Sequence, residues 1–249
     1  MSQSASLPPA SRPYFEGTEY APLLAQDARF HEWCREDEYH AARLVKPDPV
    51  VDHVIRNTKE KGLPAIFISP MQGKFLGIMV KVTGARRVLE LGTLGGLSAI
   101  YMARALPADG QLVTLEYSPK HAEVAKENIA HAGLSSKVQI IVGDGSASLE
   151  KLRADGAPPF DMAFIDADSE HVADYVRLAK PLLRQGALVL VDNMVNAGWV
   201  SDPSVTDDTR VAGVRRLLEQ LKDDAELEAT TVQTVGVRYW DGFLAAVKL

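Results

Sequence analysis

The sequence predicts an α/β fold, a mostly parallel seven-stranded sheet with helices on both faces and an antiparallel element at its C-terminal end. Three observations carry this. From about Ala85 onward, short β-branched runs alternate with helical patterns, as parallel strands joined by crossover helices require. The strand candidates end in glycine-rich or acidic turns, the chemistry expected where open α/β sheets bind ligands. The last two strand candidates are joined only by residues 236–241, too short for a parallel crossover, so they pair antiparallel.

Taken in order, residues 1–65 are expected to form a helical N-terminal extension packed on the domain or on a partner subunit. Residues 20–40 have helical character, and 47–52 reads as the entry to another helix. Residues 66–249 form the main domain. Its strand candidates are 87–91, 111–116, 138–142, 160–165 and 187–191, separated by helices at 97–105, 119–132, 146–153 and 171–183. The last of these carries Val172, Tyr175, Val176, Ala179 and Leu183 on one face. Ser118 before Pro119 is a cap followed by a first-turn proline, and Gly133 is a C-terminal stop. After a polar stretch at 201–209, Val211, Val214, Leu217, Leu218 and Leu221 mark a further helix, followed by strands at 228–235 and 242–247.

The 249 residues, 46% hydrophobic and 24% charged, have the balance of a globular protein. A formal net charge of −6 argues against a nucleic-acid partner. Cys34 is the only cysteine, which excludes an internal disulfide and a cysteine-based metal cage. No run approaches the ~18 apolar residues of a membrane span. Residues 1–13 lack a signal-peptide core and contain Arg12 as their one basic side chain, so the cytosol is expected ahead of a mitochondrial address.

The first strand ends in Gly92-Thr-Leu-Gly-Gly96, where glycines permit close approach of a ligand to the backbone. The spacing is not Gly-x-Gly-x-x-Gly. Glu90, two residues earlier, suits a cationic amino-acid cofactor better than a pyrophosphate. Glu116 ends the second strand and is placed to accept ribose hydroxyls, although NAD-binding folds use an acid there too. In Gly143-Asp-Gly-Ser146, small residues would admit an adenine ring, with Asp144 as an acceptor or Ser146 as a helix cap. Asp166 and Asp168 end one hydrophobic strand, and Asp192-Asn193 ends its neighbour. Such a cluster needs cations, and its oxygen-only character points to Mg²⁺, or to Mn²⁺ or Ca²⁺.

Several segments together resemble the cation-dependent O-methyltransferases of the caffeoyl-CoA and catechol type, especially microbial members. The resemblance spans residues 68–249. It rests on Ser69-Pro-Met-Gln-Gly-Lys-Phe-Leu76, Val88-Leu-Glu-Leu-Gly-Thr-Leu-Gly-Gly-Leu-Ser98, Phe164-Ile-Asp-Ala-Asp168, Val191-Asp-Asn193, and Gln233-Thr-Val-Gly236 with Asp241-Gly-Phe243. It implies the class I, Rossmann-like methyltransferase fold, commonly as a homodimer. S-adenosylmethionine would contact Glu90, Gly92, Thr93, Ser98, Glu116, Gly145 and Asp168. Asp166, Asp192 and Asn193 match the family's metal ligands, with Asp166 at the reaction centre. The implied acceptor is a vicinal dihydroxy aromatic (a catechol, flavonoid or caffeoyl compound), whose two oxygens can chelate the metal.

One departure stands out. The family usually carries a lysine after Asp-Ala-Asp, whereas this chain has Ser169-Glu170-His171, so that the metal alone acidifies the hydroxyl, a group such as His171 assists, or activity is lower. Residues 194–199 also lack the tryptophan that plant members carry three positions after the asparagine. Tyr239 and Trp240 suit either an acceptor pocket or a hairpin or subunit contact, and Trp33 and Tyr39 either a subunit contact or core packing. The competing readings are an NAD(P)-dependent oxidoreductase and a non-catalytic S-adenosylmethionine-binding protein.

Overall fold

The computed structural model describes residues 6–16 and 21–249. Among these residues, five α-helices precede the first strand: α1 (Arg12–Phe15), α2 (Ala21–Gln26), α3 (Ala28–Leu44), α4 (Pro49–Glu60) and α5 (Pro70–Val82). There follow β1 (Arg87–Leu91), α6 (Leu97–Ala105), β2 (Gln111–Glu116), α7 (Pro119–His131), β3 (Val138–Val142), α8 (Gly145–Ala154) and β4 (Phe160–Ile165). The chain closes with α9 (Val172–Ala179), β5 (Leu183–Val191), α10 (Thr209–Lys222), β6 (Leu227–Gly236) and β7 (Tyr239–Lys248).

The seven strands form one sheet in the order β3-β2-β1-β4-β5-β7-β6, with β7 antiparallel to both neighbours and the other pairs parallel. The expected mixed sheet is therefore present. Strands β1 and β4 lie centrally, and Val88, Leu89, Phe160 and Met162 are fully enclosed. Each face carries a hydrophobic cluster. One joins Leu76, Ile100 and Met102 to N-terminal residues such as Phe30, Cys34 and Val54, and the other joins Leu149, Val176 and Leu217. Among the described residues, no helix is long and apolar enough to cross a membrane.

Caps explain where the helices begin. Asp48, Ser69, Ser118, Asp144 and Asp208 each accept first-turn amides, and Pro49, Pro70 and Pro119 occupy first-turn positions. Asp144 is thus the cap of α8, and the helix begins two residues earlier than a Ser146 cap would require. The expected helix at 171–183 is shorter. It is a 3-10 turn (Ser169–His171), α9 and a second 3-10 turn (Lys180–Leu182), where Pro181 has no N–H for a continuing α-helix. Strand β5 begins at Leu183 rather than 187 through a register shift against β4, with Gly186 at φ +75°. Residues 236–241 are mostly strand, since Gly236 pairs with Tyr239 and only Val237–Arg238 turn. The helical stretch expected at 20–40 breaks at Asp27, which caps α3, and Tyr20 lies outside the described residues. Helix α5 was not anticipated.

Candidate active site

Ladder hydrogen bonds align the functional residues. Beyond the strand ends, Gly143 donates to the Glu116 carbonyl, Gly92 to that of Leu115, Asp166 to that of Leu91, and Asp192 to that of Ile165, each at 2.9 Å. The residues following β3, β1, β4 and β5 therefore stand side by side along the carboxyl edge. At Gly92, φ is +90° and an added Cβ would lie 1.9 Å from the Asp166 carbonyl oxygen. Only glycine lets β1 and β4 turn so closely together.

Two cavities open on this edge. The larger, about 860 Å³, is lined by the glycine turn, Ser98, Glu116, Gly145, Asp168 and Tyr175, among others. Glu116 serves the turn itself, with one carboxylate oxygen accepting from Thr93 (3.0 Å) and Leu94 (2.8 Å) and the other from Ser118 (2.9 Å). Buried Asn128 secures the far side by donating to the Gly95 carbonyl at 2.8 Å and accepting from Asn57 at 2.9 Å. Asp168 is held by the Tyr175 hydroxyl at 2.6 Å and by the His171 ring, whose pKa Asp168 raises. The Tyr175 ring is 3.0 Å from where a side chain on Gly145 would begin, so this position favours a flat contact.

Glu90 behaves differently. It has no exposure, does not line the cleft and has no hydrogen-bond partner of ordinary geometry. Burial pushes its pKa up to about 7, against the favourable influence of the nearby Ser98 and Thr114 hydroxyls. An enclosed carboxylate left without a partner fits a cationic group bound close by.

The smaller cavity, about 300 Å³, has Asp166, Asp192 and Asn193 on one wall and Ile68, Met71, Phe75 and Phe243 among its apolar lining. Asp166, Asn193 and Arg238 line both cavities. Asn193, at φ +63°, places its amide nitrogen 2.9 Å from Asp166, and its N–H donates to Asp192 at 3.0 Å. The Gln72 amide reaches the other Asp192 oxygen at 2.5 Å. Burial raises the pKa of both aspartates, and Asp166 raises that of Asp192 further. Among the described residues, no group of three or more His, Cys, Asp or Glu side chains is arranged to hold a metal. A cation here would rest on two carboxylates and amide oxygen, with the Asn193 amide turned to present its oxygen. That all-oxygen set, with two like charges facing one chamber, fits a hard divalent ion.

The structure sorts the remaining candidates. Ser169 and His171 line the larger cavity and not the smaller one that holds Asp192. Tyr239 lines the smaller cavity, while Trp240 does not and instead donates to Gln233 at 3.0 Å. Trp33 packs on Tyr239 within the core, and Tyr39 is exposed beneath Arg43. Gln72 and Arg238 escaped the sequence reading because each reaches the acidic cluster from a distant part of the chain. The Ser69-Pro70 cap signature could have placed Gln72 in the first turn of a helix.

This layout, a mixed sheet with a cleft at its carboxyl edge beside an acidic chamber, is that of a group-transfer enzyme of the Rossmann-like class. The chain belongs to the O-methyltransferase family, whose model matches residues 42–248. It is 44% identical over 211 residues to a catechol O-methyltransferase of Niastella koreensis, covering 85% of this chain and 95% of that one. It is 41% identical to a catechol O-methyltransferase of Mycobacterium tuberculosis, covering 85% and 94%. The solved O-methyltransferase from Bacillus cereus, in complex with SAH, superposes with a TM-score of 0.86 at 40% identity, covering 88% of this chain and all of that one (100%). The family match sets aside the oxidoreductase reading, and the chain is an O-methyltransferase enzyme.

Proposed function

We propose that the protein transfers the methyl group of S-adenosylmethionine to one hydroxyl of a vicinal dihydroxy aromatic compound. A divalent cation such as Mg²⁺ would be held by Asp166, Asp192 and Asn193. The observation that carries this reading is the shared wall. Asp166 and Asn193 border both cavities, so a donor in the larger and an acceptor in the smaller meet at the acidic cluster. The names of the two catechol O-methyltransferase relatives and the SAH in the Bacillus cereus enzyme support it.

In this reading the glycine turn, with Gly92 and Thr93, and Ser98 receive the amino-acid end of the cofactor, whose cationic charge offsets Glu90. Glu116, already accepting three N–H groups at the turn, keeps one acceptor site, on the oxygen that Ser118 engages, for a ribose hydroxyl. Gly145 and Tyr175 give the adenine a flat seat, and Asp168 is fixed beside it. Asp166, Asp192 and Asn193 would hold a divalent cation, whose Lewis acidity would favour ionisation of an acceptor hydroxyl, and no lysine or histidine lines the acceptor cavity to take that part. The apolar walls exclude water and hold the ring so that its oxygen meets the methyl carbon in line, which is where much of the acceleration arises. The same reading includes a homodimer, in which a second copy would cover exposed Leu23, Tyr39 and Leu44.

The test is an acceptor panel followed by mass spectrometry with S-adenosylmethionine and Mg²⁺. Catechol should be methylated once, and its 1,3-dihydroxy isomer and phenol should react at least roughly a hundredfold more slowly for want of chelation. Equal rates for the two dihydroxy isomers would overturn the assignment.

A further inference from the structure

Arg238 is the only lysine or arginine among the described residues lining the acceptor cavity. It sits on the two-residue β6–β7 turn, and that turn is held from outside. Asp37 of α3 accepts the Val237 N–H at 2.8 Å, and the Tyr239 hydroxyl donates to Asp27 at 3.2 Å. The Tyr239 ring packs edge-on against Phe30 and Trp33, with both centroid separations 5.5 Å. Gly236 leaves room for this clamp, because a Cβ there would lie 2.1 Å from the Asp37 carboxylate and displace it. The N-terminal helices thus fix the backbone that carries Arg238.

The side chain itself is half-buried, and its guanidinium lies 5.0 Å above the Tyr14 ring. No described carboxylate forms an ion pair with it. A cation–π contact consumes none of the guanidinium's N–H donors, and its planar fork matches a carboxylate with two parallel hydrogen bonds. Its charge is felt at Asp166, whose pKa it lowers against the effect of burial. The chamber therefore has an acidic wall suited to a chelated diol and one cation that no described carboxylate holds in an ion pair.

We propose that Arg238 is a specificity determinant that selects acceptors bearing a carboxylate on the dihydroxy ring, an inference that rests on the diol-methylation reading above. The two hydroxyls face Asp166 and Asp192, the ring lies between Met71, Phe75 and Phe243, and the carboxylate pairs with the guanidinium.

The experiment compares kcat/KM for 3,4-dihydroxybenzoate, catechol and 3,4-dihydroxybenzylamine in the wild type and in Arg238→Met, Arg238→Lys and Arg238→Glu. The wild type should prefer the benzoate. Arg238→Met should lower the benzoate-to-catechol ratio by roughly ten- to a hundredfold, mainly through KM, as expected for loss of a charge-assisted pair. Arg238→Lys should recover part of the ratio, and Arg238→Glu should shift preference toward the benzylamine. Thermal unfolding and calorimetric titration with S-adenosylmethionine check that each variant is folded and loads its cofactor. A ratio unchanged in an active, folded Arg238→Met protein overturns the proposal alone. So does weakened cofactor binding with the ratio unchanged, which would assign Arg238 to the donor. Failure of the wild type to methylate any of the three would overturn the underlying reading as well.

Discussion

Replacing Glu90 with glutamine removes a charge from a carboxylate that has no solvent and no hydrogen bond of ordinary geometry. Burial lifts its pKa from 4.5 to about 7 in the folded protein. When the folded value is the higher one, the folded state holds the proton more tightly and ionisation opposes folding. The penalty is absent below the unfolded value, grows between about pH 4.5 and 7, and is complete above that. At about 1.36 kcal/mol per pH unit, the interval corresponds to roughly 3 kcal/mol in the cofactor-free protein at pH 8. For a chain of this size that is on the order of 5–10 °C in unfolding temperature. Glu90→Gln should therefore raise the Tm of the cofactor-free protein by that much more at pH 8 than at pH 5. The comparison between pH values cancels any difference in packing between the two side chains. The same variant should bind S-adenosylmethionine more weakly in calorimetry if, as proposed, the Glu90 charge offsets the cofactor's cationic end. A Tm change equal at both pH values, or an unchanged affinity, would refute the argument that an isolated buried charge is held there for the ligand.

Gly92→Ala should destabilise the fold and impair catalysis together. A left-handed φ costs roughly 1–2 kcal/mol for a non-glycine residue, and the new Cβ meets the Asp166 backbone, which cannot swing aside. Thermal unfolding and methyl transfer would both report it, and a variant with native Tm and rate would contradict the close-approach argument. Gln72→Leu removes the donor that orients Asp192. It should raise the Mg²⁺ concentration needed for half-maximal activity by roughly tenfold, in line with other residues that orient metal ligands. An unchanged Mg²⁺ titration would show that Gln72 plays no such part.

The central strands and α6 were legible to the residue because β-branched runs bounded by glycine and acid have few alternatives. The alignment of Glu116, Gly92, Asp166 and Asp192 along one edge followed from the same alternation, since parallel strands end together. What was hidden is tertiary. Helix α5 contains Gly73 and Gly77, poor helix formers that are present because Tyr101 of α6 packs where a Cβ on Gly73 would sit. Tyr239 takes φ +72°, an unfavourable conformation that the hairpin and α3 impose and no local pattern announces. Gln72 and Arg238 join the acidic cluster only once α5 and the β6–β7 hairpin have folded over the sheet. The glycine turn shows the opposite case. The local sequence identified it, but the way Glu116 and Asn128 hold it in place required the packed structure.

The most direct measurement is the rate of methyl transfer from S-adenosylmethionine to catechol in Mg²⁺ and in EDTA, for the wild type and for Asp192→Asn. The wild type should lose at least roughly a hundredfold in EDTA and recover when Mg²⁺ is restored. Asp192→Asn should remain folded, bind the cofactor and stay slow under both conditions. Full activity of the wild type in EDTA would contradict the assignment of Asp166, Asp192 and Asn193 as the metal-holding centre of the reaction.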